Sequence, residues 1–346
     1  MTKERIMDES TYLNEWFKLS KDTQTNVFNE TARKLGLPAY AVEKDWWVVQ
    51  TLRLVFSLPS ASHMVFKGGT SLSKGWKVIE RFSEDIDIAL DRGFLGFDGE
   101  LGKKKISRLR RASYEFISEE LSSQLQDAYK SSGLKDVRIR VEEVEHIDQD
   151  PLIIEIYYPK LTELDTYLKP GVLLEVGCRS LREPFTNKPI SSYIGEHFPD
   201  KDFADKSIHI PVVNAERTLL EKIFLLHEEH QRPTAKRRVD RLSRHLYDIY
   251  KLSQTPHCDA ALKDPDLYRT IVDHRSRYTK LSGIDYSRHA PKHIHFVPPI
   301  DVQPQWKKDY GNMRESMIHT DSPAFGELIS ILRELQKKVN NLRWQL

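Results

Sequence analysis

The sequence predicts an α+β fold in which a mixed β-sheet carries N-terminal helices and is followed by a mainly helical domain. Three observations predict it. Apolar residues recur at helical spacing before about residue 58 and again after 214. Short apolar runs between those regions read as strands. Within them Asp85-Ile86-Asp87-Ile88-Ala89-Leu90 alternates with the period of two that marks a half-buried strand. A chain of 346 residues is long enough for two domains, and the change of pattern divides it into 1–204 and 205–346.

Taken in order, Asn14 to Leu58 reads as helices, with Val48, Leu52 and Val55 on one face after Trp47 and Pro59 as the stop. Met64-Val65-Phe66 is a short strand closed by Gly68-Gly69, and Leu72, Trp76 and Ile79 predict a helix from Ser71 onward. In the next strand Ile86, Ile88 and Leu90 face one way and Asp85 and Asp87 the other. A long helix is expected over Lys103–Tyr129, then strands at Val137–Val144, Leu152–Tyr158 and Val172–Cys178. Helices follow at Ala215–His230, Arg237–Leu252 and Phe325–Leu342. The stretch Thr255–Gln305, rich in Pro, His and Asp, reads as ordered loop.

Composition narrows the setting. Apolar residues at 39% and charged residues at 30% describe a soluble globular chain. The net charge of +2 supplies no global field for nucleic acid, so any such affinity must be local. Cys178 and Cys258 are far apart and lack ligand or disulfide spacing, which fits a reducing compartment. Met1–Ser10 has no basic segment leading into an apolar one, and no later run approaches the roughly 18 apolar residues of a membrane span. A cytoplasmic location away from membranes is expected.

The chemistry concentrates in one stretch. A glycine turn opening a helix, as at Gly68, Gly69, Thr70 and Ser71, brings backbone N–H groups close to phosphate. Paired carboxylates on one strand face, Asp85 and Asp87, suit two magnesium ions that meet the charge developed when a hydroxyl attacks the α-phosphate of a nucleoside triphosphate. Lys67-Gly68-Gly69-Thr70-Ser71-Leu72 followed by Arg81-Phe82-Ser83-Glu84-Asp85-Ile86-Asp87 resembles the signature of the DNA polymerase β-like nucleotidyltransferase superfamily. With the lysine before the glycines and the Arg-x-Ser-x-Asp-x-Asp run, it is similar to the AbiEii/AbiGii toxin family of bacterial toxin–antitoxin and phage-defence systems.

That resemblance implies a polymerase β-like sheet that transfers a nucleoside monophosphate from a triphosphate to an acceptor hydroxyl, with two Mg2+ ions or Mn2+ in their place. It implies nucleotide contacts from Lys67, Gly68, Gly69, Thr70, Ser71 and Ser83. The superfamily uses a third carboxylate on a neighbouring strand, as metal ligand and general base. Glu175 is the better candidate because it interrupts the apolar run Val172–Val176, and Glu155 is its rival. Lys222 would contact the triphosphate, and Asp248 would orient Lys222 or an arginine; His245 stands where similar proteins carry the first aspartate of an Asp-x-x-Asp. The tRNA 3′ end becomes the leading acceptor, and a separately encoded AbiEi-type antitoxin the expected partner. A protein or small-molecule acceptor, or a non-catalytic nucleotide-binding module, are the competing readings.

Three further features stand apart. Glu43-Lys44-Asp45-Trp46-Trp47 reads as structural support for the elements around Gly68, with the tryptophans in the core. Lys236-Arg237-Arg238 with Arg241 and Arg244, and Lys103-Lys104-Lys105 with Arg108, Arg110 and Arg111, read as two basic helix faces able to hold RNA phosphates or simply solvated. His289, His293 and His295 lack metal-ligand spacing and are expected in loop or core.

Overall fold

The computed structural model describes residues 3–147, 149–163, 171–318 and 320–344. It forms two compact units: residues 1–75 with 83–212, and residues 76–82 with 213–346. The chain thus leaves the first unit after Gly75 and re-enters it at Ser83, just before Asp85. The second crossing falls at the end of the strand Ile208–Val213, between Val212 and Val213, whereas the sequence pattern placed the cut near residue 204.

The first unit is α+β. Its seven strands are β1 (Met64–Lys67), β2 (Asp85–Leu90), β3 (Arg138–Val141), β4 (Leu152–Tyr157), β5 (Val172–Gly177), β6 (Phe185–Ile190) and β7 (Ile208–Val213), in the order β3-β4-β5-β2-β1-β7-β6. The sheet is mixed: β2 runs parallel to β5 and antiparallel to β1, and β1 is parallel to β7. Both edges are polar, as edges exposed to further pairing tend to be. β3 reads Arg-Ile-Arg-Val, and β6 carries Pro189 and Lys188. Neither β6 nor β7 was anticipated, because each contains a proline that reads against a strand.

Helices α1 (Lys3–Lys18), α2 (Lys21–Leu35) and α3 (Ala39–Val55) precede the sheet. Ser20 caps α2 by accepting from Thr23 N at 3.1 Å, and Gly36 ends it in the left-handed conformation. α3 is buried on every side from Ala41 to Val55 and packs on α2, β2 and β5, as expected of a helix apolar nearly all round. Trp46 and Trp47 are core residues; Trp46 stacks on Trp16 and Trp47 on Tyr158. α4 (Gly68–Lys74) is a short helix that stops at Gly75, so the predicted continuation through Trp76 and Ile79 does not occur. Those two residues are carried into the second unit, where Trp76 Nε1 donates to Val213 O at 2.8 Å. The long helix predicted from Lys103 is α5 (Lys103–Glu115), a π-turn at Phe116–Leu121 and α6 (Ser122–Ser132), which packs on β3 and α3. The short α7 (Tyr193–His197) completes the unit.

The second unit is helical. α8 (Ala215–Gln231), α9 (Ser243–Ser253), α10 (Pro256–Ala261), α11 (Pro265–His274), α12 (Gln303–Met317) and α13 (Phe325–Asn340) build it. Two expectations are corrected here. Thr255–Gln305 is not all loop, because Pro256 and Pro265 sit at the first helical position, where a proline starts a helix instead of breaking it. The basic run from Lys236 is not one helix face either. α9 begins only at Ser243, after Arg241 takes a positive φ of 57° and Asp309 accepts the backbone N–H groups of Arg241 and Ser243. Arg238 is committed to Glu229 at 2.8 Å, so its charge is answered within the unit. Among the described residues no helix is long and apolar enough to cross a membrane.

Candidate active site

The site in the first unit is assembled by strand register. β2 and β5 pair in parallel with Asp87 opposite Glu175 and Asp85 opposite Leu173. Paired residues of neighbouring strands project to the same face, and neighbours lie about 4.8 Å apart. Asp85, Asp87 and Glu175 therefore share one face, half-exposed, while Ile86, Ile88, Leu174 and Val176 are fully buried on the other. Glu155 is on the carboxylate face too, since it pairs with Leu173 across β4. It is engaged there, with Arg140 Nε at 2.6 Å and the Tyr157 hydroxyl donating to it at 3.0 Å.

The glycine turn closes on these carboxylates. Gly68 has φ +81°, a left-handed conformation that glycine adopts without strain. A Cβ at this position would lie 1.9 Å from Asp87 Oδ2, so the backbone and the carboxylate fit together only because no side chain is present. Lys67 Nζ lies 4.0 Å from Asp87 Oδ1. The hydroxyls after the turn face inward: Ser71 donates to Gly68 O at 2.9 Å, and Thr70 donates to Asp85 O at 2.5 Å and lies 2.9 Å from Ser83 Oγ. Thr70 and Ser71 are buried, so what they hold directly is the turn and the start of β2.

The donor set suits a hard divalent cation. Asp85, Asp87 and Glu175 offer only carboxylate oxygens, the chemistry preferred by Mg2+ and Mn2+ over softer metals, and the close seat of Asp87 on Gly68 fixes one of them. Among the described residues no group of three or more His, Cys, Asp or Glu side chains is placed so that it could hold a metal ion as it stands.

The second unit holds a separate buried charge cluster. Arg81 grips Asp248 with Nε at 2.7 Å and Nη2 at 2.8 Å, and Lys222 Nζ reaches the same carboxylate at 2.9 Å. Burial alone raises the Asp248 carboxyl, but the two cations hold it far below the ordinary carboxylate range. Burial lowers the Lys222 ammonium despite the pull of Asp248, and the Arg81 charge adds to the lowering. His245, 3.4 Å from Lys222, is held neutral by burial and by that lysine. A neutral acceptor therefore stands beside Lys222. Arg81 sits on the bend 76–82 through a bridge to Ile318 and the bond of Phe82 N to Met317 O at 2.7 Å.

Glu43, Lys44 and Asp45, expected as structural support for the elements around Gly68, find partners that sequence reasoning missed. Lys44 pairs with Glu84 at 2.5 Å, and Asp45 with Lys74 at 2.7 Å; every one of these side chains is 5% exposed or less. Glu43 accepts from the backbone of Leu161 at 2.7 Å and Thr162 at 2.9 Å. Three consecutive charges inside a largely apolar helix were the signal, since charges in such a place must find partners.

Comparison with known proteins shows the class of this chain to be that of the nucleotidyltransferases. The family model described as the nucleotidyl transferase AbiEii toxin of type IV toxin–antitoxin systems matches residues 53–336, and the chain belongs to that family. It is thus a nucleotidyltransferase, the toxin of a type IV toxin–antitoxin pair, with a nucleoside triphosphate substrate and an antitoxin counterpart. Among solved structures it is similar to the nucleotidyltransferase toxin MenT4 of Mycobacterium tuberculosis, at 18% identity over 92% of this chain and 99% of that one, with a TM-score of 0.45. It is also similar to JHP933 of Helicobacter pylori, at 13% identity over 84% and 89%, with a TM-score of 0.39. No curated protein matches the chain.

Proposed function

We propose that the protein transfers a nucleoside monophosphate from a nucleoside triphosphate to a hydroxyl at the 3′ end of tRNA, using the face formed by Asp85, Asp87 and Glu175. The observation that carries this reading is the register of β2 with β5, which sets Glu175 beside Asp87 on the face that Asp85 shares. Asp85, Asp87 and Glu175 would hold Mg2+, or Mn2+ in its place; when bound, such ions neutralise charge on the triphosphate and lower the pKa of the attacking hydroxyl. The chain's own contribution is placement. The Gly68 turn would offer N–H groups to phosphate at a place where a bulkier residue would displace Asp87. Lys67 supplies a cation at the rim of the same carboxylate. Thr70, Ser71 and Ser83 support nucleotide binding by fixing the turn and the entry of β2.

Glu175 takes the role of third carboxylate and general base in this reading, because the register sets it opposite Asp87, whereas Glu155 lies one strand further away, opposite Leu173. Lys222 and Asp248 belong to nucleotide handling in the family pattern. Here Asp248 sets the Lys222 ammonium and Arg81 in fixed positions within the second unit. An AbiEi-type antitoxin is the proposed counterpart and the cytoplasm the proposed setting, since the substrates are cytoplasmic.

The test incubates purified protein with total cellular RNA, magnesium and each nucleoside triphosphate in turn, labelled at the α- or the γ-phosphate. The expected result is label in tRNA-sized RNA from one α-labelled nucleotide, none from its γ-labelled form, and none with a chelator. Label entering protein or a small molecule instead would move the acceptor to those classes, and label from the γ-position would contradict nucleotidyl transfer.

A further inference from the structure

We infer that Lys44 and Asp45 of α3 are positioning residues for the reaction, clamping the two sides of the nucleotide signature through buried ion pairs with Glu84 and Lys74. The inference rests on the reading of Asp85 and Asp87 as reacting carboxylates. Its starting point is the path of the chain. After Gly75 the backbone leaves the sheet unit, and it returns at Ser83, so Asp85 stands only two residues beyond the point of re-entry. A strand that begins this way has no preceding turn in its own unit to set where it starts.

Two side-chain contacts do so instead. On the carboxylate side, the Thr70 hydroxyl holds Asp85 O. On the core side, Glu84 is 2% exposed and reaches Lys44 on α3 at 2.5 Å. Successive residues of an extended chain point to opposite faces, so anchoring Glu84 into the core fixes the side to which Asp85 projects. The neighbouring Asp45 secures the other half. It pairs with Lys74 at 2.7 Å and accepts from Tyr193 N at 2.8 Å, while the Lys74 ammonium sits 4.0 Å from the Tyr193 ring centre. Lys74 is the last residue of α4, whose first residue, Gly68, lies against Asp87. One turn of α3 therefore grips the far end of the glycine-turn helix and the near end of the carboxylate strand.

Stability alone does not account for this arrangement. A buried ion pair returns little net stability over apolar residues of similar size, because both charges must be stripped of water. Apolar residues would fill the same space, but they would not define a direction. Two oppositely signed pairs, side by side on one helix turn, also exclude the exchanged pairing, since Lys44 would meet Lys74 and Asp45 would meet Glu84.

The deciding experiment compares the parent with Lys44→Met/Glu84→Leu, which replaces one pair by apolar side chains. It measures thermal midpoint, kcat and KM for the nucleotide, and Mn2+ affinity by electron paramagnetic resonance without nucleotide. The expected result is a midpoint at or above the parent's, with kcat lowered about tenfold or more, Mn2+ binding weakened about fivefold or more, and KM within about twofold. Parental turnover and parental Mn2+ affinity in that variant would overturn the inference and leave the pair a packing device. If the double variant does not fold, Glu84→Asp decides, because it keeps the charge and withdraws it by one methylene. It should fold and lose turnover to a similar degree, and full turnover would refute the positioning role. Asp85→Ala serves as the control. Activity retained there removes the reading of Asp85 itself, whereas an inactive Asp85→Ala beside a fully active apolar pair sinks only the inference.

Discussion

At the scale of single residues, the site depends on one place where backbone and carboxylate occupy nearly the same volume. Gly68→Ala would place a methyl group 1.9 Å from Asp87 Oδ2 at a φ of +81°. The left-handed conformation alone costs about 1–2 kcal/mol for a residue with a Cβ, and Asp87 must also move. The expected outcome is a lower melting midpoint together with a loss of turnover of about tenfold or more; a variant with parental turnover would show that the close approach is incidental. Gly68, Asp85 and Asp87 were legible in the sequence, because a glycine turn and an alternating strand leave local marks. The pairs Lys44–Glu84 and Asp45–Lys74 were not, since 40 residues separate the first two and periodicity does not say which charges meet. Sequence favours Glu175 over Glu155 through the apolar run it interrupts. The register that sets Glu175 opposite Asp87, and the Arg140 partner of Glu155, are products of folding that it does not reveal.

At the scale of elements, strands and long helices with a clear period were legible, and those opened by proline were misread. β2, β4 and β5 announce themselves by alternation or by an apolar run, whereas β6 and β7 contain Pro189 and Pro211. α10 and α11 begin with prolines at their first position, which in isolation look like breaks. Helical spacing also carried α4 too far: Leu72 belongs to it, but Trp76 and Ile79 lie past Gly75, on the segment that brings Arg81 to Asp248. That ion cluster joins the bend 76–82 to α8 and α9 within the second unit, and it yields a prediction at this scale. Asp248→Ala leaves Arg81 and Lys222 buried without their shared anion, a loss of about 3–5 kcal/mol when one partner of a buried pair is removed. Urea unfolding should show the lower midpoint, and a change of less than about 1 kcal/mol, the usual worth of an exposed pair, would contradict the cluster's structural role.

At the scale of the whole molecule, the family assignment, the carboxylate face and the stability of the helical unit each have a consequence in solution. Burial pushes His227 down to about 4 and His230 likewise to about 4, with His289 and His295 adding to the respective shifts. Each is folded as the neutral form: His227 Nδ1 accepts from His295 N at 3.0 Å, and His230 Nε2 donates to Phe296 O at 3.2 Å. Because the folded value lies below the unfolded one of about 6.5, the unfolded chain takes up protons first as pH falls. Stability of the second unit is therefore complete above about pH 6.5, falls between there and about pH 4 by up to about 1.4 kcal/mol per pH unit for each histidine, and then levels off with respect to these groups. Urea midpoints measured across that range should follow this course. His227→Gln/His230→Gln should flatten it, and an unchanged slope would show that other groups set the acid limit.

The measurement that tests the central claim most directly is a side-by-side rate of nucleotide incorporation into RNA for the parent, Asp85→Asn, Asp87→Asn, Glu175→Gln and Glu155→Gln, all at saturating magnesium. The account predicts losses of about a hundredfold or more in the first three, since each removes a charge from the shared face, and a rate within about twofold of the parent for Glu155→Gln, whose carboxylate serves Arg140. Full activity in Asp85→Asn and Asp87→Asn, or an active Glu175→Gln beside an inactive Glu155→Gln, would contradict it.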